Sequence, residues 1–175
     1  MMSEKLRTIC LTGISAAIIA VLSQITIPMP YGIPMTLQTF IIPLIGLVLG
    51  PKRGALAAGV YIALGALGLP VFSGFSGGIH RLIGPTGGFI LSFPLMSYLS
   101  ALGAKGGKAR LYLCLLSAFA LNYLCGMLMF AYVTNASPAA AFTAAVLPFL
   151  PADILKIVLC GVFGMSLKNK LKIKN

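Results

Sequence analysis

The chain has 175 residues, of which 59% are hydrophobic and only 9% are charged, and its mean hydropathy is +1.02. A water-soluble domain carries roughly 25% charged residues, so the polar surface here is too small to coat a soluble globule. The formal net charge of +11 would suggest nucleic acid in a soluble protein, but the basic residues stand in short clusters between apolar runs. That pattern indicates membrane topology and argues against a nucleic-acid partner.

Six apolar segments follow one another along the chain. They cover residues 8–27, 35–50, 54–70, 87–104, 110–134 and 150–168. A membrane-spanning helix needs about 20 residues, and the second to fourth segments are at or below that length. The first resembles a signal peptide superficially, but it lacks a clear cleavage site followed by a soluble domain, so we interpret it as a retained helix.

Lysines and arginines divide these segments into a regular pattern. Eleven of the thirteen precede segment one, separate segments two and three, separate segments four and five, or follow segment six. Of the basic residues, the remaining connections carry only Arg81. This alternation predicts an all-α membrane protein with six transmembrane helices and both termini in the cytoplasm.

Helix one contains GISAAIIA, in which Gly13, Ala16, Ala17 and Ala20 form a face of small residues. Such faces let another helix approach closely. The spacing alone favours packing inside the protein's own bundle, because helix three is equally rich in small residues.

The connection at 70–88 is long and glycine-rich, and it carries His80 and Arg81. Glycine-rich backbone can approach a ligand closely, and near lipid it is tolerated only where protein covers it or where it lines a cavity. We therefore predict an outer lid over a binding site, in preference to a flexible connector.

The stretch LGAKGGKAR resembles a phosphate-binding loop but does not match one. Leu102 stands where the first glycine is needed and Ala109 where a serine or threonine is needed. The chain therefore has no recognisable ATP-binding motif of its own.

Asp153 and Lys156 interrupt the sixth segment. They are three residues apart, so they share one face of a helix. Asp153 precedes Lys168, at the cytoplasmic end, by fifteen residues, or about 22 Å, which places it in the outer part of a hydrocarbon core about 30 Å thick. Since a charge near the centre of a bilayer costs roughly 2.5–3.5 kcal/mol, both side chains must face the bundle interior or a wet cavity.

This pair has three interpretations. Asp153 could cap a helix opened by Pro151, or the two side chains could pair only with each other. We favour the third, a polar floor for a ligand that enters from outside. A carboxylate accepts hydrogen bonds from N–H groups, and a lysine binds carboxylates or carbonyl oxygens. A small molecule with urea-like N–H and C=O groups, an apolar body and an acid tail would fit, although spacing alone does not establish that choice.

Three stretches of the chain resemble the BioY family, the biotin-specific S components of energy-coupling factor (ECF) transporters. They are IPMTLQTFIIPLIGLVLGPKRG (33–54), GGIHRLIGPTGGFILSF (77–93) and PFLPADILK (148–156). Ala152 departs mildly from the family form of the last stretch, which usually has glycine there. NYLCG (122–126) is a weaker match.

The resemblance implies an S-component fold of six helices whose biotin pocket opens to the outside. It maps ligand-binding residues onto Arg81, Asp153 and Lys156, with Gly87 and Gly88 shaping the nearby loop. Asn122, Tyr123 and Gln38 are further candidates for the pocket. It also implies that Ala16 and Ala20 contact a coupling subunit, which reverses the preference drawn from spacing.

We therefore expect one six-helix domain over residues 1–175 that captures biotin with high affinity in a bacterial cell membrane. It would dock on a transmembrane coupling subunit and two ATPase subunits. Biotin is a ligand here, and we predict no cofactor, metal site or catalytic residue. The alternative is a solitary secondary carrier for biotin or another small carboxylate vitamin. An intramembrane enzyme is disfavoured, because the chain has one histidine and one acid within an apolar segment.

Overall fold

The computed structural model describes residues 3–29 and 32–171, with only the backbone of Asn169. In the first half, α1 is followed by a two-residue antiparallel strand pair and then by α2 and α3. Their bounds are Glu4–Leu22 for α1, Thr26–Ile27 for β1, Met35–Thr36 for β2, Gln38–Leu49 for α2 and Pro51–Ala66 for α3.

The second half contains six further helices within the described residues. They are α4 (His80–Ile83), α5 (Gly87–Leu91), α6 (Phe93–Leu102), α7 (Lys108–Thr134), α8 (Pro138–Ala145) and α9 (Leu150–Leu171). Short 3₁₀ turns at Gly103–Lys105 and Leu147–Phe149 follow α6 and precede α9.

The first helix begins and ends earlier than the predicted limits of 8 and 27. Its start is set by Ser3, whose hydroxyl accepts the main-chain N–H of Leu6 and caps the first turn. Its end is set by β1, which pairs with β2. Because β2 also takes up the start of the predicted 35–50 segment, α2 begins only at Gln38. The predicted segments included these strands, because hydropathy does not distinguish an apolar strand from an apolar helix.

Proline and glycine account for the differences in the third and fourth segments. α3 begins at Pro51. Proline suits the first turn of a helix, because the main-chain N–H that it lacks would have no acceptor there. α3 ends at Ala66 rather than 70, just before Gly68, whose φ of 97° is left-handed. The predicted helix 87–104 is divided at Ser92 into α5 and α6, since Pro94 cannot donate the next helical hydrogen bond.

The fifth and sixth segments agree with the structure to within three residues, since α7 begins at Lys108 and α9 ends at Leu171. Between them lies α8, where no helix was predicted. Ser137 caps α8 by accepting the N–H of Ala140, and Pro138 follows at the first helical position.

The helices α2, α3 and α6 pack most closely where small residues meet. A Cβ atom added to Gly54 would lie 2.7 Å from the Cα of Gly46, and one added to Gly46 would overlap the main-chain carbonyl of Ser97. Only glycine permits this approach. α2 also packs against α9, so α2 lies at the centre of the bundle and brings its first turn against the charged pair of α9.

Polar contacts join the basic ends of the helices in two places. Arg53, at the start of α3, donates to the carboxylate of Glu4 at 3.0 Å and to the hydroxyl of Thr8 at 3.2 Å. Lys168, near the end of α9, donates to the carbonyl of Ala104 at 2.7 Å. The start of α1 therefore lies beside the α2–α3 turn, and the end of α9 beside the α6–α7 turn.

Three stretches among the described residues are long and apolar enough to cross a membrane. They are Glu4–Leu22, Lys108–Thr134 and Pro138–Lys168. α2 is apolar but has only 12 residues.

Candidate functional site

A cavity lies between α2, the α5–α6 break, α7 and α9. Its polar wall comes from Thr36, Gln38, Thr39, Asn122, Tyr123, Asp153 and Lys156, and its apolar wall includes Ile33, Phe89, Ile90, Phe93 and Phe149. An apolar pocket with a few convergent polar groups is the usual form of a small-molecule site.

The cavity is narrow in this conformation. Its atom-free space is about 550 Å³ including the open mouth, and the part enclosed between the side chains is far smaller. A drug-sized ligand would therefore have to displace side chains of the wall as it enters.

The charged pair of α9 forms the floor of the cavity. Lys156 Nζ donates to Asp153 Oδ1 at 2.7 Å, and these residues are only 9% and 4% exposed. Lys156 also donates to the carbonyl oxygen of Thr36 and to the hydroxyl of Thr39, both at 2.9 Å. The three N–H groups of the ammonium therefore each have an acceptor, which offsets part of the cost of burying the charge.

Side chains on two further helices donate hydrogen bonds to Asp153. Its Oδ2 atom accepts the hydroxyl of Tyr123, on α7, at 2.7 Å, and its Oδ1 atom accepts the hydroxyl of Thr39, on α2, at 3.3 Å. The carboxylate thus neither serves merely as a helix cap nor pairs only with Lys156. α9 contributes both charges, and α2 and α7 fix their positions.

Gln38 lies in the first turn of α2 and is nearly buried. Its Nε2 atom donates to the hydroxyl oxygen of Tyr61 at 2.6 Å, and its Oε1 atom accepts the hydroxyl of Thr36 at 3.0 Å. The side-chain amide therefore has a partner on each side, and Gln38 remains on the cavity wall.

Asn122 secures the break between α5 and α6. Its Nδ2 atom donates to the carbonyl of Phe89 at 3.0 Å and to the hydroxyl of Ser92 at 2.7 Å. No described residue donates to its Oδ1 atom, and Asn122 lines the cavity. This oxygen is a possible acceptor for a ligand.

Arg81 does not line the cavity that contains Asp153 and Lys156. It lies on α4, between two outer depressions, one of which also includes His80. Those depressions share Thr86 and Ser73 with the cavity. Arg81 is therefore beside the cavity without lining it, and its role in binding stays a prediction.

Gly87 and Gly88 are buried between helices and do not line the cavity. A Cβ atom on Gly87 would overlap the carbonyl of Leu82, and one on Gly88 would overlap the carbonyl of Cys125 on α7. The next two residues, Phe89 and Ile90, line the cavity instead. The glycines therefore shape the site indirectly, by letting α5 pack against α4 and α7.

The small-residue face of α1 is partly covered inside the chain. Ala16 is only 1% exposed and belongs to the hydrophobic core, and Ala20 is partly buried against that core. α1 packs against α3, so Ala16 contributes to packing inside the bundle, and the contact of Ala16 and Ala20 with a coupling subunit stays a prediction. Gly13 and Ala17 are the exposed small residues of this helix.

The connection 70–88 is anchored in its first half. Phe72 is buried with its ring edge-to-face on that of Tyr61, at 5.5 Å between centroids. Gln24, just after α1, donates to the carbonyl of Val71 at 3.2 Å and accepts the main-chain N–H of Phe75 at 2.8 Å. The predicted lid function is not tested by this anchoring, and α4 occupies the second half.

Sequence reasoning missed three residues that the structure brings to the site. Thr36 and Thr39 contact Lys156, and Tyr61 contacts Gln38. Thr36 and Thr39 flank Gln38 in the stretch MTLQT, but threonines are too common in apolar segments to indicate a contact with Lys156. A tyrosine in an apolar helix, such as Tyr61, is equally common.

Comparison with known proteins supports one family. The sequence model of the BioY family matches residues 1–173. The chain is 43% identical over 165 residues to the probable biotin transporter BioY of Pyrococcus horikoshii, covering 94% of this chain and 98% of that protein. It is 35% identical over 182 residues to the biotin transporter BioY2 of Lactococcus lactis, covering 100% and 97%.

The fold is similar to that of a solved structure. The crystal structure at 2.1 Å of the S-component for biotin from an ECF-type ABC transporter superimposes with a TM-score of 0.87. The match covers 97% of this chain and 95% of that chain, at 24% sequence identity. This likeness and the long apolar helices identify a membrane protein with an S-component fold.

Proposed function

The chain belongs to the BioY family, and from that premise we propose that it binds biotin in the cavity above Asp153 and Lys156 and takes part in biotin uptake. The observation that carries this proposal is the buried, fully hydrogen-bonded ion pair at the floor of a cavity with aromatic walls. The relatives in other organisms are named as biotin transporters.

The cavity offers chemistry that suits such a ligand. The carboxylate of Asp153 can accept N–H groups of a ureido ring, and the ammonium of Lys156 can donate to a carbonyl or carboxylate oxygen. The rings of Phe89, Phe93 and Phe149 supply apolar contacts for the body of the molecule. Asn122 and Gln38 add neutral polar groups on the same wall.

A ligand oxygen that binds Lys156 must replace one of its internal hydrogen bonds. All three N–H groups of Lys156 have acceptors within the protein, and Asp153 accepts from Tyr123, Thr39 and Lys156. The contact from Thr39 to Asp153 is the longest of these, at 3.3 Å. We propose that a ligand N–H takes the place of this contact, so that the ion pair persists in the bound state.

Arg81 contributes at the entrance under this proposal. Its two depressions adjoin the cavity at Ser73 and Thr86, so it can hold a charged end of the ligand that projects outward. Gly87 and Gly88 act by allowing the close packing of α5 described above.

Isothermal titration of the purified protein with biotin tests this function. We expect binding by the natural chain and by Lys170→Ala, which removes a lysine near the end of α9. Asp153→Asn and Lys156→Ala should lose tight binding. Absence of biotin binding by the natural chain overturns the function, and unchanged binding by both cavity variants overturns the site.

We further propose that the protein delivers biotin together with a coupling subunit and two ATPase subunits. The solved structure that shares its fold comes from an ECF-type ABC transporter, and this chain shows no ATP-binding motif. Liposomes that contain the chain alone should bind labelled biotin without accumulating it, and addition of an energy-coupling module with internal ATP should allow uptake. Robust uptake by the chain alone would instead favour a solitary carrier.

The proposed topology has six spans in the cell membrane with both termini in the cytoplasm. α1, α2, α3, the α5–α6 pair, α7 and α9 are the spans. The contacts of Arg53 with Glu4 and of Lys168 with Ala104 support it, because each joins two of the basic regions that the charge pattern assigns to one side.

A further inference from the structure

Tyr61 links the cavity to the end of α1 through a short chain of hydrogen bonds. Its side chain is 0% exposed. Its hydroxyl oxygen accepts from Gln38 Nε2 at 2.6 Å and lies 3.0 Å from the hydroxyl oxygen of Ser23. Three helical regions therefore meet at one phenol: Ser23 follows α1, Gln38 begins α2 and Tyr61 belongs to α3.

The direction of each hydrogen bond follows from counting protons. Ser23 has one hydroxyl proton, and it is donated to the carbonyl of Ile19 at 2.6 Å. Ser23 can then only accept from Tyr61, so the single proton of Tyr61 is directed at Ser23. Tyr61 is left as an acceptor toward Gln38, and the amide must present its nitrogen.

The contact on the other side of the amide is compatible with this orientation. The hydroxyl of Thr36 accepts the main-chain N–H of Gln38 at 3.2 Å and donates to Gln38 Oε1 at 3.0 Å. With the oxygen bound to Thr36 and one N–H bound to Tyr61, one N–H of the amide is left, for which no described residue provides an acceptor.

The phenol is itself held by apolar contacts. The ring of Phe72 meets that of Tyr61 edge-to-face, with 78° between the ring planes, and Gly65 leaves the space that the ring of Phe72 occupies. The hydroxyl of Tyr61 therefore has a fixed position rather than following the movements of Gln38.

We infer that Tyr61, oriented by Ser23, is a positioning residue that holds the amide of Gln38 so that one N–H donor faces the cavity for an acceptor oxygen of the ligand. Tyr61 itself does not line the cavity. Its effect on the ligand passes through Gln38. The inference rests on the proposed biotin binding for its functional consequence, but the amide orientation can be measured without ligand.

The ligand-free test uses the scarcity of glutamine in this chain. Gln24 and Gln38 are the only two glutamines, so selective ¹⁵N labelling gives two side-chain amide signals, and Gln38→Ala assigns them. Tyr61→Phe and Ser23→Ala should each shift the Gln38 signal, and Tyr61→Phe should leave the Gln24 signal in place. Tyr132→Phe, which alters an 82% exposed tyrosine, should move neither. An unchanged Gln38 signal in Tyr61→Phe overturns the inference.

A binding test separates positioning from general damage. Loss of one hydrogen bond should weaken biotin binding by about threefold to tenfold in Tyr61→Phe. If Tyr61 acts through Gln38, the double variant Gln38→Ala/Tyr61→Phe should bind like Gln38→Ala alone. A double variant whose loss equals the product of the two single losses overturns the inference. Failure of the natural chain to bind biotin would refute the proposed function, while the amide signals would still decide the orientation.

Discussion

The ammonium of Lys156 lies 2.7 Å from the carboxylate of Asp153, and the hydroxyl of Tyr123 lies 2.7 Å from the other oxygen of that carboxylate. A charge buried in a low-dielectric interior is stabilised only if it is paired and its remaining hydrogen-bonding positions are filled. Thr36 and Thr39 fill those of Lys156. The pair on α9 is thus a preorganised polar floor supported by α2, α7 and β2.

We expect Asp153→Asn to destabilise the protein by about 3–5 kcal/mol, because it leaves the Lys156 charge buried without its counter-ion. Adding Lys156→Met should recover part of that loss, since the double variant buries no unpaired charge. Thermal unfolding in detergent measures both. A double variant that is no more stable than Asp153→Asn would contradict this account of the pair.

Tyr123→Phe should weaken biotin binding by about tenfold or more, because a hydrogen bond to a charged group contributes about 1.5–3 kcal/mol. The ring and its packing are retained, so the unfolding temperature should change much less than in Asp153→Asn. Tyr98→Phe, on α6, is the matched control, and its affinity should equal that of the natural chain. Normal affinity in Tyr123→Phe would show that Asp153 needs no support from α7.

The charged floor was predictable from the sequence, whereas the two threonines that support it were not. Two opposite charges three residues apart in an apolar segment are rare and costly in a membrane, so Asp153 and Lys156 stand out. Thr39 and Thr36 reach Lys156 across 117 and 120 residues of chain. Hydroxyl residues are too common in helices for their sequence alone to reveal such contacts.

Ala16 shows the opposite case, in which a pattern fits two interfaces equally well. Small residues spaced by one helical turn permit close packing against any helix, whether of the same chain or of a partner. The structure places Ala16 in the core of the chain, and the contact of this face with a coupling subunit stays a prediction. Helix limits were missed for a related reason, since hydropathy does not register caps such as Ser3 or breaks such as Pro94.

Gly88→Ala should lower the free energy of unfolding by about 1–3 kcal/mol, because the added methyl group would overlap the main chain of Cys125 and separate α5 from α7. Gly59→Ala is the matched control. That position has open space for a Cβ atom, and alanine favours the helix over glycine by about 1 kcal/mol. Denaturation in detergent compares the two. Equal stabilities would show that α5 accommodates the methyl group by a small shift.

Gln24→Ala should loosen the outer connection, because Gln24 binds both Val71 and Phe75. We expect faster hydrogen exchange of main-chain amides at 72–77, with little change in the middle of α7. Gln24→Glu gives a graded comparison, since it retains an acceptor for the N–H of Phe75 but loses the donor to Val71. Exchange rates equal to those of the natural chain in both variants would locate the anchor elsewhere, with Phe72 the nearest alternative.

The proposed six-span topology predicts which positions a membrane-impermeant thiol reagent reaches from outside intact cells. In a cysteine-free background, single cysteines at Phe75 and Asn135 should react, and those at Lys52 and Lys105 should react only after permeabilisation. The physical reason is that the basic connections stay in the cytoplasm. Phe75 is 73% exposed, so a low reactivity there could not be attributed to burial in the folded chain. Labelling of Lys52 from outside, or protection of both Phe75 and Asn135, would contradict the topology and require a different number of spans.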